Sequence, residues 1–342
     1  MEAIMLAGGF GTRLRPLTYT RAKSLLPIMN TPMITYLLKT LPDEVDKVIL
    51  AVNYRRNQIE EYLQSLNLKQ EIIVNDEPEP LGTGGAVKFA EEHITDSFFV
   101  LNTDIICSLD LSQMIEFHKK HDAVATISLW PVEKVSEFGV VDVKQNGNIT
   151  GFVEKPKPED APSNLINAGA YFLEPHVLDY IQPGKLVSME KEIFPQIIEK
   201  TNRFYGYQFS GYWMDIGRIT SYLNVHQFLL NKQNKNTLIG SDCSIHGTLS
   251  KTVVGDNVSV GKNTEIKNSV ILDHAQIESD CRLNHCVVGE NGRIQPNSIL
   301  EYVVLGDNET LSNNIELENE LIWTQPIPDG YPRKQIGNVI GE

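Results

Sequence analysis

Cysteine is scarce in this chain: four in 342 residues, scattered and with no C-x-x-C pair. Neither a zinc knuckle nor a disulfide framework is indicated, and a reducing, cytoplasmic setting is expected. No apolar run reaches the roughly 18 residues that a membrane span requires. The first residues, "MEAIMLAGG", have no basic stretch and turn to glycine too soon for a secretory signal. Basic charge is also short, with 30 Lys and Arg against 44 Asp and Glu and a net charge of −14. That balance argues against a surface that wraps nucleic acid. The remainder, 41% hydrophobic and 22% charged, is an ordinary globular composition, long enough for two domains and a sizeable core.

One local scarcity says more. Between Glu2 and Asp43 there is no carboxylate at all, and within that window "LAGGFGTRLRPLTYTRAKSLLP" (residues 6–27) carries three glycines with Arg13, Arg15, Arg21 and Lys23. Glycine-rich turns between a strand and a helix let backbone N–H groups approach an anion, usually phosphate. The spacing fits neither a dinucleotide fingerprint, because Leu14 follows Gly9 and Gly11, nor a P-loop, because Lys23 lies twelve residues after Gly11. Spacing alone leaves a plain surface turn on equal terms with a phosphate site. The uncompensated basic charge tips the balance, since Arg13 and Lys23 could neutralise a triphosphate from two sides.

Around this loop the first half alternates. "AIML", "KVILAV", "EIIV", "FFVLNTD" and "AVATISL" read as strands; "RRNQIEEYLQSL", "TGGAVKFAEEH" and "LSQMIEFHKKH" read as helices. "TPMITYLLKTL" reads as a helix with Thr31 as N-cap and Pro32 in its first position. The rhythm predicts an α/β fold: a Rossmann-like, mostly parallel sheet covered by helices, with ligands at the carboxyl ends of the strands. From about Phe138 shorter strands follow, with a hairpin signal at "QNGN", then helices near Glu190–Lys200 and Ile219–Leu230.

Beyond the polar linker at 231–236, branched apolar residues recur about every six positions, from Ile239 and Ile245 to Val288 and Ile294. "VGD" at 254–256, "ILD" at 271–273, "VGE" at 288–290 and "LGD" at 305–307 are each 17 residues apart. Such a period predicts about four stacked parallel coils. The expected division is a catalytic domain over 1–230, the linker, a β-helix over 237–312 and a tail over 313–342, whose "WTQPIPDGYP" breaks the period. Cys243 and Cys281 fall where a small inward residue suits such a coil.

Taken together, "LAGGFGTRLRPLT…AKSLLP", "EPLGTGGAV" (79–87), "LNTD", "FVEKP" (152–156), "NAGAYFLEP" (167–175) and "WMDIG" (213–217) resemble, in order, the signature motifs of the nucleotide-sugar pyrophosphorylases, the sugar-1-phosphate nucleotidyltransferases. The layout is nearest to the mannose-1-phosphate guanylyltransferases, and the repeats are similar to the left-handed β-helix of hexapeptides that many members carry. The resemblance implies transfer of a nucleotidyl group from an NTP to a sugar 1-phosphate, with release of pyrophosphate. A nucleophile that is already anionic at pH 7 requires no Ser/His/Asp triad, so catalysis reduces to positioning and charge neutralisation.

By that resemblance Asp104 and Asp215 hold Mg²⁺, with Arg13 and Lys23 on the β- and γ-phosphates. Leu6, Ala7, Gly8, Gly9, Gly11, Thr12, Gly82 and Thr83 complete the nucleotide site. Lys155 takes the sugar phosphate, Glu154 the sugar hydroxyls, and Gly139 with Asn167 the rest of the ring. Glu77 falls where relatives contact the base. One carboxylate can accept both N1–H and N2–H₂ of guanine, a donor pair that adenine, uracil and thymine lack, so GTP is favoured, with Glu79 as the other candidate. Mannose 1-phosphate is the favoured acceptor; a uridylyl- or thymidylyltransferase acting on glucose 1-phosphate, another sugar-1-phosphate guanylyltransferase and a silent regulatory or scaffold subunit are the alternatives. The presence of Arg13, Lys23, Asp104, Lys155 and Asp215 argues against the silent one. A homo-oligomer assembled through the β-helix, with no nucleic-acid or membrane partner, is expected. An acyltransferase site built on His246, His274 and His285 is disfavoured by the short repeat. Ala22 and Thr103 depart from the family pattern, which has proline and glycine there.

Overall fold

The structure, a computed structural model, describes residues 1–77, 79–331 and 339–340. It forms two compact units: Met1–Gly9 with Ile34–Met214, and Phe10–Met33 with Asp215–Glu342. No helix among the described residues is long and apolar enough to cross a membrane.

The first unit is built on a nine-stranded sheet. The strands Glu71–Asp76, Lys47–Val52, Glu2–Leu6 and Phe98–Asn102 lie side by side and parallel. Their residues are almost continuously apolar ("KVILAV", "FFVLN"), as a sheet covered on both faces requires. Beyond Phe98–Asn102 the sheet continues through antiparallel pairing with Leu165–Leu173, whose other neighbours are Ala125–Pro131 and Gly139–Val143. The expected α/β fold is therefore present, with its parallel part at the N-terminal end. The "QNGN" hairpin is present between Gly139–Val143 and Ile149–Glu154. The core gathers Ile4, Ile49, Phe98, Val100, Tyr171 and Phe194, all fully buried.

The expected helix start at Thr31 is corrected. Thr31–Pro32 pairs antiparallel with Pro27–Ile28, and the helix begins at Met33. Met29 and Asn30, both with positive φ (50° and 60°), supply the two-residue hairpin turn that draws Thr31 and Pro32 away from the helix.

In the second unit, parallel strands stack in three sheets, two of five strands and one of seven. This is the expected β-helix, but with five coils rather than four. The coil over 237–250 holds the first recurring apolar positions, Ile239 and Ile245, but lacks the 17-residue motif, and its Ile239 is exposed. Inward residues stack in register, Val260 on Ile277 on Ile294. The recurring acids bind backbone one coil back: Asp273 Oδ1 accepts the Asp256 N–H at 2.8 Å, and Asp307 Oδ1 that of Glu290 at 2.7 Å. Corners adopt positive φ, mostly at asparagines such as Asn263, Asn291 and Asn308. His274 (φ 61°) and His285 (φ 54°) occupy two of those corners, which gives them a structural role. Cys281 and Cys286 are buried in the coil core, and Cys243 packs against it half-buried.

Candidate active site

In the first unit the carboxyl ends of the parallel strands open onto a cavity of about 250 Å³. Its walls include Leu6, Gly8, Gly9, Glu77, Gly82 and Thr83, bringing six of the expected nucleotide-site residues together. Ala7 is instead buried in the strand register, its N–H donating to Ala51 O at 2.9 Å. The two glutamates differ in placement: Glu77 lines the cavity and is buried, whereas Glu79 is exposed and not part of the wall. Glu77 Oε2 accepts the Leu81 N–H at 3.1 Å, which orients the carboxylate. Burial pushes its carboxyl above the usual carboxylate range, opposed by that hydrogen bond.

The glycines beside it serve close packing. A Cβ on Gly82, where φ is +73°, would meet Val187 O at 2.6 Å, and one on Gly85 would meet Lys185 O at 2.5 Å. The helix Gly82–Phe89 can thus lie directly against the Lys185–Val187 backbone, and Gly84 N donates to Val187 O at 2.8 Å. Thr83, on the cavity wall, donates to Glu190 Oε2 at 2.7 Å, and Glu190 Oε1 accepts the Tyr171 hydroxyl at 3.0 Å. Tyr171 in turn accepts from Asn167 Nδ2 at 2.9 Å. Burial, followed by the Glu190 charge, raises the Tyr171 phenol well above its ordinary value, so it stays protonated as a donor. Sequence reasoning missed Glu190, which lies in no motif, and gave no role to Tyr171, although it falls within "NAGAYFLEP".

Asn167 sits at a register break in Leu165–Leu173, where its Oδ1 accepts the Gly169 N–H at 3.0 Å. Its amide therefore shapes the bulge as well as facing the Tyr171 hydroxyl. Gly139 lies opposite Glu154 in the hairpin, and a Cβ there would stand 2.8 Å from Glu154 Oε2 and 2.5 Å from Phe152 Cζ. Glycine is what leaves room for that carboxylate. Lys155, at φ +50°, ends the strand with Nζ 3.4 Å from Glu154 Oε1. Asp104 is half-buried just past Phe98–Asn102. Beside it the Thr103 hydroxyl donates to Leu6 O at 2.9 Å, giving the departure from glycine a structural task.

In the second unit the signature loop divides its four cations. Arg21 pairs with Glu290 and approaches Asp307 at 3.7 Å, and Arg15 is buried, its guanidinium over the rings of Tyr19 and Tyr331. Two of the four thus hold the loop itself. Arg13 is exposed and Lys23 half-buried. Gly11, at φ +66°, brings the Lys23 stem close, since a Cβ there would lie 2.7 Å from Thr18 Cγ2 and 3.2 Å from Lys23 Cβ. Thr12 opens the short helical turn Thr12–Leu14. A Cβ on Gly217 would stand 2.7 Å from Asp215 Oδ2 and 2.9 Å from Arg13 Nη2, so carboxylate and guanidinium flank one point. Ala22 keeps φ −59°, the value proline would fix, which makes that substitution conformationally mild.

A cavity at parallel strand ends beside a glycine-led helix, with a parallel β-helix later in the chain, defines a nucleotide-handling α/β class. A family model described as nucleotidyl transferase matches residues 2–232, and one described as the GMPPB C-terminal domain matches 232–327. The chain belongs to the nucleotidyl transferase family. It is 42% identical over 228 residues to the mannose-1-phosphate guanylyltransferase catalytic subunit beta of Drosophila melanogaster, covering 65% of this chain but only 61% of that one. It thus spans less than two thirds of the fly protein's length. It is 40% identical over 276 residues to the mannose-1-phosphate guanyltransferase of Yarrowia lipolytica, covering 78% and 73%. Among solved structures, HddC from Yersinia pseudotuberculosis complexed with GMP-PN aligns at 28% identity and TM-score 0.54, covering 66% of this chain and 97% of that one.

Proposed function

We propose that the protein transfers GMP from GTP to mannose 1-phosphate, giving GDP-mannose and pyrophosphate. A phosphate oxygen of the sugar attacks the α-phosphorus in line, and the bond from that phosphorus to the α,β-bridging oxygen breaks. The observation that carries the base assignment is the buried Glu77 carboxylate in the wall of the strand-end cavity. Held by Leu81 at one oxygen, it retains lone pairs for the two adjacent donors of guanine. The names of the relatives support the acceptor.

Arg13 and Lys23 neutralise the β- and γ-phosphates and the departing pyrophosphate, while Lys155 and Glu154 receive the sugar phosphate and its hydroxyls. Gly139 keeps Glu154 seated, and Asn167 lines the ring. Asp104 and Asp215 are half-buried carboxylates, and such oxygen donors fit a hard divalent cation. These two residues would hold Mg²⁺, which supplies charge neutralisation at the reacting phosphates when bound. A cytoplasmic homo-oligomer joined through the β-helix completes the reading.

The test is pyrophosphate release in Mg²⁺ from a panel of NTPs crossed with mannose, glucose, galactose and N-acetylglucosamine 1-phosphates. Release with GTP and mannose 1-phosphate is expected to exceed every other pair. Preference for UTP or dTTP with glucose 1-phosphate would replace both substrates, and silence from folded protein would favour a regulatory subunit.

A further inference from the structure

The segment Trp323–Tyr331 breaks the 17-residue repeat, yet both of its end residues are buried, Trp323 at 2% and Tyr331 at 4% exposure. They are buried against the glycine-rich loop. Tyr19 packs on Trp323 and on Tyr331, with ring centroids 4.9 Å apart in each pair, and Phe10 meets Tyr331 edge-on at 6.0 Å. The Tyr331 hydroxyl lies 2.9 Å from Thr18 Oγ1 and 3.2 Å from Phe10 O, and Thr18 Oγ1 lies 2.9 Å from Gly11 O. Two hydroxyl protons serve these three contacts. With the Tyr331 proton donated to Phe10 O and the Thr18 proton to Gly11 O, the pair clasps the chain on each side of Gly11; with the Tyr331 proton donated to Thr18 Oγ1, it holds Gly11 O through Thr18.

We propose that Tyr331 is a positioning residue for the phosphate-binding loop, acting through Thr18 and Phe10 on the backbone around Gly11; the catalytic consequence, though not the clasp, rests on the function proposed above. The loop's own backbone bonds are single turns, such as Leu14 N to Gly11 O, Leu17 N to Leu14 O and Tyr19 N to Pro16 O, and glycine, at Gly11, has more conformational freedom to lose than any other residue type. Left unclasped, it would sample backbone states in which its N–H groups and the Arg13 and Lys23 side chains do not converge on phosphate. The aromatic ring has a separate task. It covers the Arg15 guanidinium, whose carbon is 4.9 Å from the ring centroid, while the hydroxyl makes the hydrogen-bond contacts to Thr18 Oγ1 and Phe10 O. Ring and hydroxyl can thus be separated by substitution.

The experiment uses the full chain carrying Tyr331→Phe, Thr18→Val or both, with Tyr302→Phe, an exposed tyrosine of the β-helix, as control. Amide hydrogen exchange over residues 10–23 is read together with KM and kcat for GTP and for mannose 1-phosphate. Tyr331→Phe is expected to speed exchange in that loop, Leu14 included, and to raise the KM for GTP about threefold to tenfold, the scale of one buried hydrogen bond. The KM for mannose 1-phosphate and the melting temperature should stay near wild type. The double variant should lose little more than the larger single loss. Unchanged exchange over 10–23 in Tyr331→Phe overturns the proposal, whatever the activity. Faster exchange in a protein that turns over no NTP leaves the clasp standing and removes only the enzymatic reading.

Discussion

Two glycine-rich stretches of this chain look alike in sequence and are supported in opposite ways. In Gly82–Gly85 the glycines allow one backbone to lie against another, that of Lys185–Val187, so the stretch is braced by the sheet unit that carries it. In the loop around Gly11 the brace is made of side chains from distant sequence: Asp307, Glu290 and Tyr331. Glycine content reports that a backbone must come close to something. Which partner it approaches, and from how far along the chain, is decided elsewhere.

The carboxylates give the sharpest contrast, one belonging to each unit. Asp104→Ala or Asp215→Ala is expected to lower kcat in Mg²⁺ by at least about a hundredfold, the scale for losing one group that stabilises transition-state charge. A near-normal rate from either variant would remove that residue from the metal site. Next come the glycines themselves. Gly11→Ala and Gly82→Ala combine a positive φ with a contact below 3 Å, so each should lose about 1–3 kcal/mol in urea denaturation. Gly9→Ala meets nothing within 4 Å and should change stability by no more than about 0.5 kcal/mol. Equal losses at all three positions would erase the distinction between packed and open glycines.

Glu77→Gln should weaken kcat/KM for GTP about tenfold, as expected for a charged hydrogen bond to substrate, and that for UTP much less. Its pH dependence has a definite sign. Burial raises the Glu77 pKa, and only the carboxylate accepts both guanine donors, so GTP binding is complete above the raised pKa and is lost as pH falls through it. In wild type the KM for GTP should therefore climb on the acid side before ordinary carboxylates protonate, and in Glu77→Gln that limb should flatten. The smallest expected effect is at Gly139→Ala. It should raise the KM for mannose 1-phosphate severalfold by displacing Glu154 and leave the KM for GTP unchanged, because Gly139 packs on Phe152 and Glu154 and lies outside the cavity wall.

Much of this was legible in the sequence because it is periodic or local. Strands such as Phe98–Asn102 must be apolar throughout when both faces are covered, and each coil must bury a residue such as Val260 or Ile277, so both patterns reach the surface of the sequence. Donor and acceptor chemistry pointed to Glu77 and Glu79 alike, and only burial distinguishes their placement. The count of five coils was not legible, because the outer coil supplies Ile239 and Ile245 to the recurrence but lacks the 17-residue motif and leaves Ile239 exposed. Nor was the division of labour among Arg13, Arg15, Arg21 and Lys23, which depends on partners such as Glu290 and Tyr331 that no local spacing connects. Glu190 stayed hidden for the same reason: it gathers Thr83, Ser188 and Tyr171, two of them far from it along the chain.

The long-range bracing of the Gly11 loop also sets an order of events during synthesis. The loop precedes these partners along the chain, and its contacts with Glu290, Asp307 and Tyr331 span 269, 287 and 313 residues. Contacts of such separation form late, after the intervening chain has folded and closed the distance. Until the segments carrying Glu290, Asp307 and Tyr331 have been made, the growing polypeptide carries this loop without the side-chain contacts that brace it. A chain that terminates before the β-helix is wound would lack the Glu290, Asp307 and Tyr331 contacts to this loop. Winding of the coils that carry Glu290 and Asp307 is thus expected to be the step that sets the loop around Gly11.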